Sequence, residues 1–173
     1  TNTMMSLTNF IRPILSLRLH KLDSYVTNAE ILQRNVLRHL LSKSSSTEWG
    51  STHGYKTDLC YEDFARQTPL NTYEELKGFI DRMRHGEKDV LWPGRVRWYA
   101  KSSGTTNDKS KFIPVSADAL HDTHYAGGKD AVVWYLRNNP KSKIFDGKAL
   151  ILGGSHAPNY NLSDSLVGDL SAI

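Results

Sequence analysis

Apolar residues recur along this chain at two different periods, and the change of period organises it. In residues 5–22, Leu15, Leu19 and Leu22 fall on one face at spacings of four and three, with Arg18 and Lys21 off that face, predicting a first helix. Pro13 has no backbone N–H and limits where that helix can be regular. A second helix is expected to restart at Thr27, with Thr27 as N-cap, Glu30 three residues on as in a capping box, and Ala29, Leu32, Val36 and Leu40 as its apolar side. It ends in the polar run Lys43-Ser44-Ser45-Ser46. Trp49 follows in an irregular, glycine-punctuated stretch and is expected to anchor core. Residues 61–67 read as a short helix closed by Thr68-Pro69. Thr72-Tyr73-Glu74-Glu75 is the clearest capping box, and Leu76, Phe79, Ile80 and Met83 then mark an amphipathic helix. Arg82, Arg84 and His85 lie in its last turn, where cations favour the helix dipole, and Gly86 ends it.

The period shortens to two at residues 96–100, which alternate as a strand does, and residues 112–115 read as a second short strand. Ser116 then caps a long helix with Asp118 in its first turn. Leu120, His124, Ala131 and Tyr135 lie along one side, and Asn138-Asn139-Pro140 stops it. Gly127 and Gly128 interrupt this helix at a cost of about 1 kcal/mol each against alanine. Close backbone approach, either to the central loop or to a ligand, would account for them, as would a kink. Residues 148–154 read as a buried strand ending at Gly153-Gly154. The expected fold is α/β: N-terminal helices, then a small sheet with a crossover helix over 116–139.

The stretch between the two central strands is poor core material and good material for holding phosphate. Gly104 lets the backbone turn sharply and approach an anion, and convergent N–H groups in such a turn form an anion-binding concavity. Ser102, Ser103, Thr105 and Thr106 add hydroxyl donors, and Lys109 and Lys111 add positive charge. A plain hairpin loop has the same composition, so the residues alone leave both readings open. The spacing is neither a Walker-type loop nor the dinucleotide fingerprint. A Ser–His–Asp hydrolase using Ser103 lacks its Gly-x-Ser-x-Gly elbow. His121 and His124 share a helix face, with His53 and His156 elsewhere, but no cysteine or HExxH pattern supports a metal site. Lys129 and Asp130 read as a solvated face.

Charge changes this picture little. Lys plus Arg number 22 and Asp plus Glu 18, so the net charge is 22 − 18 = +4, suited to an anionic ligand. The basic residues are scattered, which argues against nucleic acid. The one cysteine, Cys60, excludes an intrachain disulfide, and no apolar run approaches membrane-spanning length. With no signal peptide read in it, a cytoplasmic location is expected, with no membrane partner.

The loop and its flanks resemble a known family. Ser-Ser-Gly-Thr-Thr followed by lysine is similar to the ATP-phosphate loop of the acyl-adenylate-forming superfamily, which includes firefly luciferase and the acyl-CoA synthetases. Val90-Leu91-Trp92-Pro93, residues 100–106, residues 110–115 and Gly127-Gly128-Lys129-Asp130 more closely resemble the auxin-responsive acyl acid–amido synthetases, in particular bacterial members. The likeness runs over about residues 10–173. It implies the N-terminal part of a large adenylating domain, with residues 1–173 a truncated piece of it. It implies ATP-dependent activation of a small carboxylic acid as an acyl-adenylate, then amide formation with an amino acid, with Mg2+ accompanying ATP. Ser102, Ser103, Gly104, Thr105 and Thr106 would cradle the phosphates. Lys111 would be the charged, catalytic member, with Lys109 as runner-up. An acyl-CoA-type ligase and a non-catalytic nucleotide-binding or interaction fragment are the alternatives. The adenine, acyl and metal motifs of the family would lie beyond Ile173, so this segment by itself is expected not to turn over.

Overall fold

The computed structural model describes residues 6–102 and 110–169. They form two compact units, one from residues up to 32 with 118–152, the other from 33–117 with residues from 153 onward.

In the first unit, α1 (Leu7–Thr27) starts at the N-cap Ser6, whose hydroxyl accepts from the Asn9 N–H at 3.2 Å. It runs through Pro13 to Thr27, so Thr27 closes this helix rather than capping the next. Asn28, with φ −122° and ψ 23°, makes the break, and α2 (Ala29–Ser44) follows directly. Leu22 is buried and Leu15 and Leu19 are half-buried, as their spacing predicts. Arg18 is not on a separate face. It forks onto Asp130 at 2.5 and 3.1 Å, so Asp130 belongs to a packed ion pair and not to a solvated face. Thr8 is fully buried and ties the unit's ends together, its N–H and hydroxyl both donating to Asp146 Oδ1 at 2.9 Å.

The long helix predicted from residue 116 begins as α6 (Ala117–Ala119), widens into a π-helical stretch (Leu120–Tyr125) and continues as α7 (Ala126–Asn138). A π turn takes an extra residue, so the phase of the helix shifts. The predicted face of Ala131 and Tyr135 is therefore exposed, and Val133 and Leu136 are buried instead. A Cβ at Gly127 or Gly128 would meet nothing within 4 Å among the described residues. The central loop, the neighbour expected for this pair, lies outside the described residues. Residues 148–154 are no strand either: Leu150, Ile151 and Leu152 are about 86% exposed. A strand needs a neighbour, and the described sheet gives this run none.

In the second unit α2 buries Leu41 and Ser44, not the Val36 and Leu40 side, which stays exposed. Thr47 then caps α3 (Glu48–Thr52), donating to the Ser44 carbonyl at 2.7 Å and accepting from Gly50 N at 3.0 Å. The first N–H groups of α3 are satisfied across the unit, Glu48 N by the Asp89 carbonyl and Trp49 N by that of Val90 (2.8 and 3.0 Å). Trp49 is half-buried, edge-on to Phe79. α4 (Tyr61–Gln67) coincides with the predicted segment. α5 (Tyr73–Arg84) begins at the predicted capping box, where the Thr72 N–H and hydroxyl both donate to Glu75 at 2.6 and 2.8 Å.

The apolar face of α5 explains the sheet. Ile80 and Met83 join Val90, Val96, Tyr99 and Val167 in one buried cluster, with Leu76, Phe79 and Phe112 against it. Each buried aliphatic side chain contributes about 1.5–3 kcal/mol. The sheet has the order β2-β1-β3, with β1 (Trp98–Ser102) central. β2 (Lys111–Val115) runs antiparallel, pairing Trp98 with Val115 and Ser102 with Lys111. β3 (Leu166–Gly168) runs parallel, pairing Tyr99 with Val167. Both predicted strands exist, each shifted by one or two residues at its start. This is the mixed α/β class expected from the sequence.

Two glycines separate the packing explanations. A Cβ at Gly50 would sit 1.9 Å from the Ser44 carbonyl oxygen, so Gly50→Ala should destabilise by several kcal/mol in urea unfolding. Gly128→Ala enters open space in a helix and should stabilise by about 0.5–1 kcal/mol. A second expectation concerns acid. Arg82 holds both Glu48 and Glu87, and these contacts lower both carboxyl pKa values. Depressed carboxylates stabilise above their ordinary range, and that contribution is lost as pH falls through the depressed values. Thermal melts should therefore lose stability on acidification, and less so in the Glu48→Gln/Glu87→Gln protein.

Candidate functional site: the mouth of the central hairpin

The phosphate-binding expectation falls on the β1–β2 hairpin. Ser103, Gly104, Thr105, Thr106 and Lys109 lie outside the described residues. Ser102 and Lys111 are described, and the ladder sets them opposite each other at its last pair. Ser102 is half-buried and Lys111 exposed, so a hydroxyl and an ammonium stand at the neck where the loop leaves the sheet. The antiparallel register makes this placement: residues directly opposite on two strands share a face.

The hairpin is held on one side by aromatic and cationic groups. β2 is an edge strand, and its Phe112 N–H donates to the Tyr73 hydroxyl at 2.9 Å. The Lys111 ammonium lies 5.5 Å from the Tyr73 ring centroid. One residue inward, Lys101 of β1 opposes Phe112 of β2. The Lys101 ammonium sits 4.0 Å over the ring of Tyr160, at the end of a 3₁₀ turn (Pro158–Tyr160). The Arg84 guanidinium sits 3.7 Å over the Phe112 ring, and the Phe112 and Tyr160 rings are 5.7 Å apart. Below them Tyr99 is fully buried, its hydroxyl donating to the Val96 carbonyl at 3.1 Å. Burial pushes its pKa up to about 12, so it is neutral across the physiological range. The described cations around the hairpin are thus Lys101, Lys111 and Arg84, each lying against an aromatic ring.

The sequence reading missed Tyr73, Lys101, Tyr160 and the role of Arg84. Arg82 does behave as a solvent-side cation at the helix end, engaged with Glu48 and Glu87. Arg84 does not, being only 7% exposed. A signal was available: Arg84 follows Ile80 by four and so continues the apolar stripe of α5. Tyr160 lies too far along the chain for any local pattern to connect it. Elsewhere, His121 and His124 both pack against Tyr125, at 5.7 and 5.5 Å between rings. Among the described residues no group of three or more His, Cys, Asp or Glu could hold a metal ion, and no helix is long and apolar enough to cross a membrane.

Comparison with known proteins defines the class. The structure superposes on GH3.15 acyl acid amido synthetase with a TM-score of 0.69 at 25% identity, covering 92% of this chain and 28% of that one. A second structure, AtGH3.15 acyl acid amido synthetase in complex with 2,4-DB, matches at TM-score 0.68 and 23% identity, over 88% of this chain and 26% of that one, and shows the shared fold. The hairpin and its helices thus belong to an amido-synthetase fold. Residues 18–172 match the model of the GH3 family N-terminal domain, and the chain belongs to that family. Among curated relatives, the indole-3-acetic acid-amido synthetase GH3.6 of Arabidopsis thaliana is 31% identical over 104 residues, 60% of this chain and 17% of that protein. The probable indole-3-acetic acid-amido synthetase GH3.7 of Oryza sativa subsp. japonica is 31% identical over 110 residues, 59% of this chain and 17% of that protein. The chain therefore spans about a sixth of the length of the curated relatives it matches.

Removing the Tyr73 hydroxyl tests how the edge strand is held. Tyr73→Phe leaves the Phe112 N–H without its partner and should cost about 1 kcal/mol in urea unfolding. Faster hydrogen exchange at Phe112 than at its neighbours checks the cause.

Proposed function

We propose that this chain supplies the ATP-phosphate-binding hairpin of an acyl acid–amido synthetase, as the N-terminal part of a larger adenylating domain. The observation that carries this reading is the cross-strand pairing of Ser102 with Lys111 at the two ends of the hydroxyl-rich loop, in a chain of the GH3 family. The amido-synthetase names of its relatives support the same reaction class.

The reaction proceeds in two steps. A carboxylate oxygen of a small acyl acid attacks the α-phosphorus of ATP, a P–O bond forms, and the bond to the β-phosphate oxygen breaks. Negative charge moves onto the departing pyrophosphate. Donors already aimed at that charge stabilise the transition state without having to reorganise. In this protein Ser102 donates its hydroxyl and Lys111 its ammonium, with Ser103, Gly104, Thr105 and Thr106 completing the cradle and Lys109 adding charge. An amino acid amine then attacks the acyl carbon, AMP leaves with the bonding pair, and the nitrogen loses a proton to give the amide. Mg2+ arrives with the nucleotide and neutralises its phosphates. The amine is preferred to a CoA thiol as acceptor because the matched relatives are amido synthetases. The cytoplasm supplies both ATP and free amino acids.

The test is ATP–pyrophosphate exchange by the full-length protein containing this segment, against a panel of small carboxylic acids. Acid-dependent exchange is expected, with Lys111→Ala lowering its rate by about 10²–10³. A folded protein that exchanges with no acid would reduce the hairpin to a simple turn.

A further inference from the structure

We propose that Arg84 is a positioning residue for nucleotide binding, setting the geometry of the two strand ends from which Ser102 and Lys111 arise. This rests on the phosphate-binding reading above. Arg84 is buried, and the contacts it makes span the hairpin. Its guanidinium stacks on Phe112 of β2, Nη2 donates to the Tyr160 carbonyl at 2.7 Å, and Nη1 donates to Asp81 at 3.3 Å. Tyr160 in turn carries the Lys101 ammonium of β1 on its ring. Lys101 and Phe112 are cross-strand partners, one step inside Ser102 and Lys111. The contacts close a ring: Arg84 to Phe112, across the ladder to Lys101, over to Tyr160 and back to Arg84. Both strand ends are thereby referred to one rigid point, the last turn of α5.

The cost of the arrangement argues that it is more than filler. A buried guanidinium gives up its hydration, and the Nε of Arg84 has no hydrogen-bond partner among the described residues. Methionine or leucine would cover Phe112 without that penalty. What only arginine provides is a flat cation that lies over a ring while its two terminal nitrogens fork, one to the Tyr160 carbonyl and the other to Asp81. Phosphate donors must be held to within a few tenths of an ångström, so a slack ring would be felt by ATP and not by the acyl acid.

The experiment measures KM for ATP and for the acid separately, by exchange in the full-length protein, at a temperature where near-UV circular dichroism shows each variant folded. Arg84→Met is expected to raise KM for ATP about tenfold or more while KM for the acid stays put. Arg84→Lys, which keeps a cation over Phe112 but loses the fork, should fall between Arg84→Met and the parent. Equal changes in both KM values, or a lower melting temperature with KM for ATP unchanged, overturns the proposal. Should Arg84→Met fail to fold, Phe112→Leu keeps the apolar volume and removes the ring face. A KM for ATP that is unmoved in that variant overturns it equally, and a rise of about threefold supports it. A parent protein with no acid-dependent exchange would defeat the phosphate reading itself. An active parent with the wrong variant pattern would defeat only the role given to Arg84.

Discussion

The burial of β1 between two strands and one helix face is the constraint on which the rest of the second unit depends. Tyr99 has no exposure, and it packs with Ile80 and Met83 from α5 and Val167 from β3. A strand so placed has little freedom to slip, because a shift of one residue would send Tyr99 to the other face and put Trp98 or Ala100, each of quite different volume, in its place. The fixed register then decides what happens at the strand's far end. With Tyr99 anchored, Lys101 and Ser102 are carried to the mouth of the hairpin in a defined order, and β2 brings Phe112 and Lys111 opposite them.

Charge is distributed around that anchor by burial. Arg82 and Arg84 are two residues apart on one helix, yet one meets glutamates on the outside and the other lies under the hairpin. Side chains two apart on a helix do not share a face, so the division is a matter of helical phase. The outer arginine belongs to surface electrostatics, and the inner one packs against Phe112 of β2.

The first unit is built differently. It relies on long-range polar ties, Thr8 to Asp146 and Arg18 to Asp130, beside a modest apolar contact through Leu22, Val133 and Leu136. Its main helix changes phase in the π-helical stretch before the double glycine. A Cβ at either glycine would meet nothing within 4 Å among the described residues.

What the sequence determined was local. The capping box at Thr72, the 61–67 helix, the apolar stripe of α5 and the two strands of the hairpin were legible because each is specified by contacts within a few residues. The hydroxyls, glycine and lysines between the two strands could be picked out because they are contiguous in the chain, and of them the structure describes Ser102 and Lys111, paired across the ladder. Tertiary structure decided whatever depends on a distant partner. It chose Leu41 over Leu40 as the buried residue of α2, and Val133 and Leu136 over Ala131 and Tyr135 in α7. It left residues 148–154 without a strand neighbour among the described residues, although their composition favours one. It also brought Tyr160 beneath Lys101 and Arg84 beneath Phe112. Periodicity reports that a residue lies on a face. Only packing reports what that face meets, because the identity of the neighbour is not encoded within one turn of the chain.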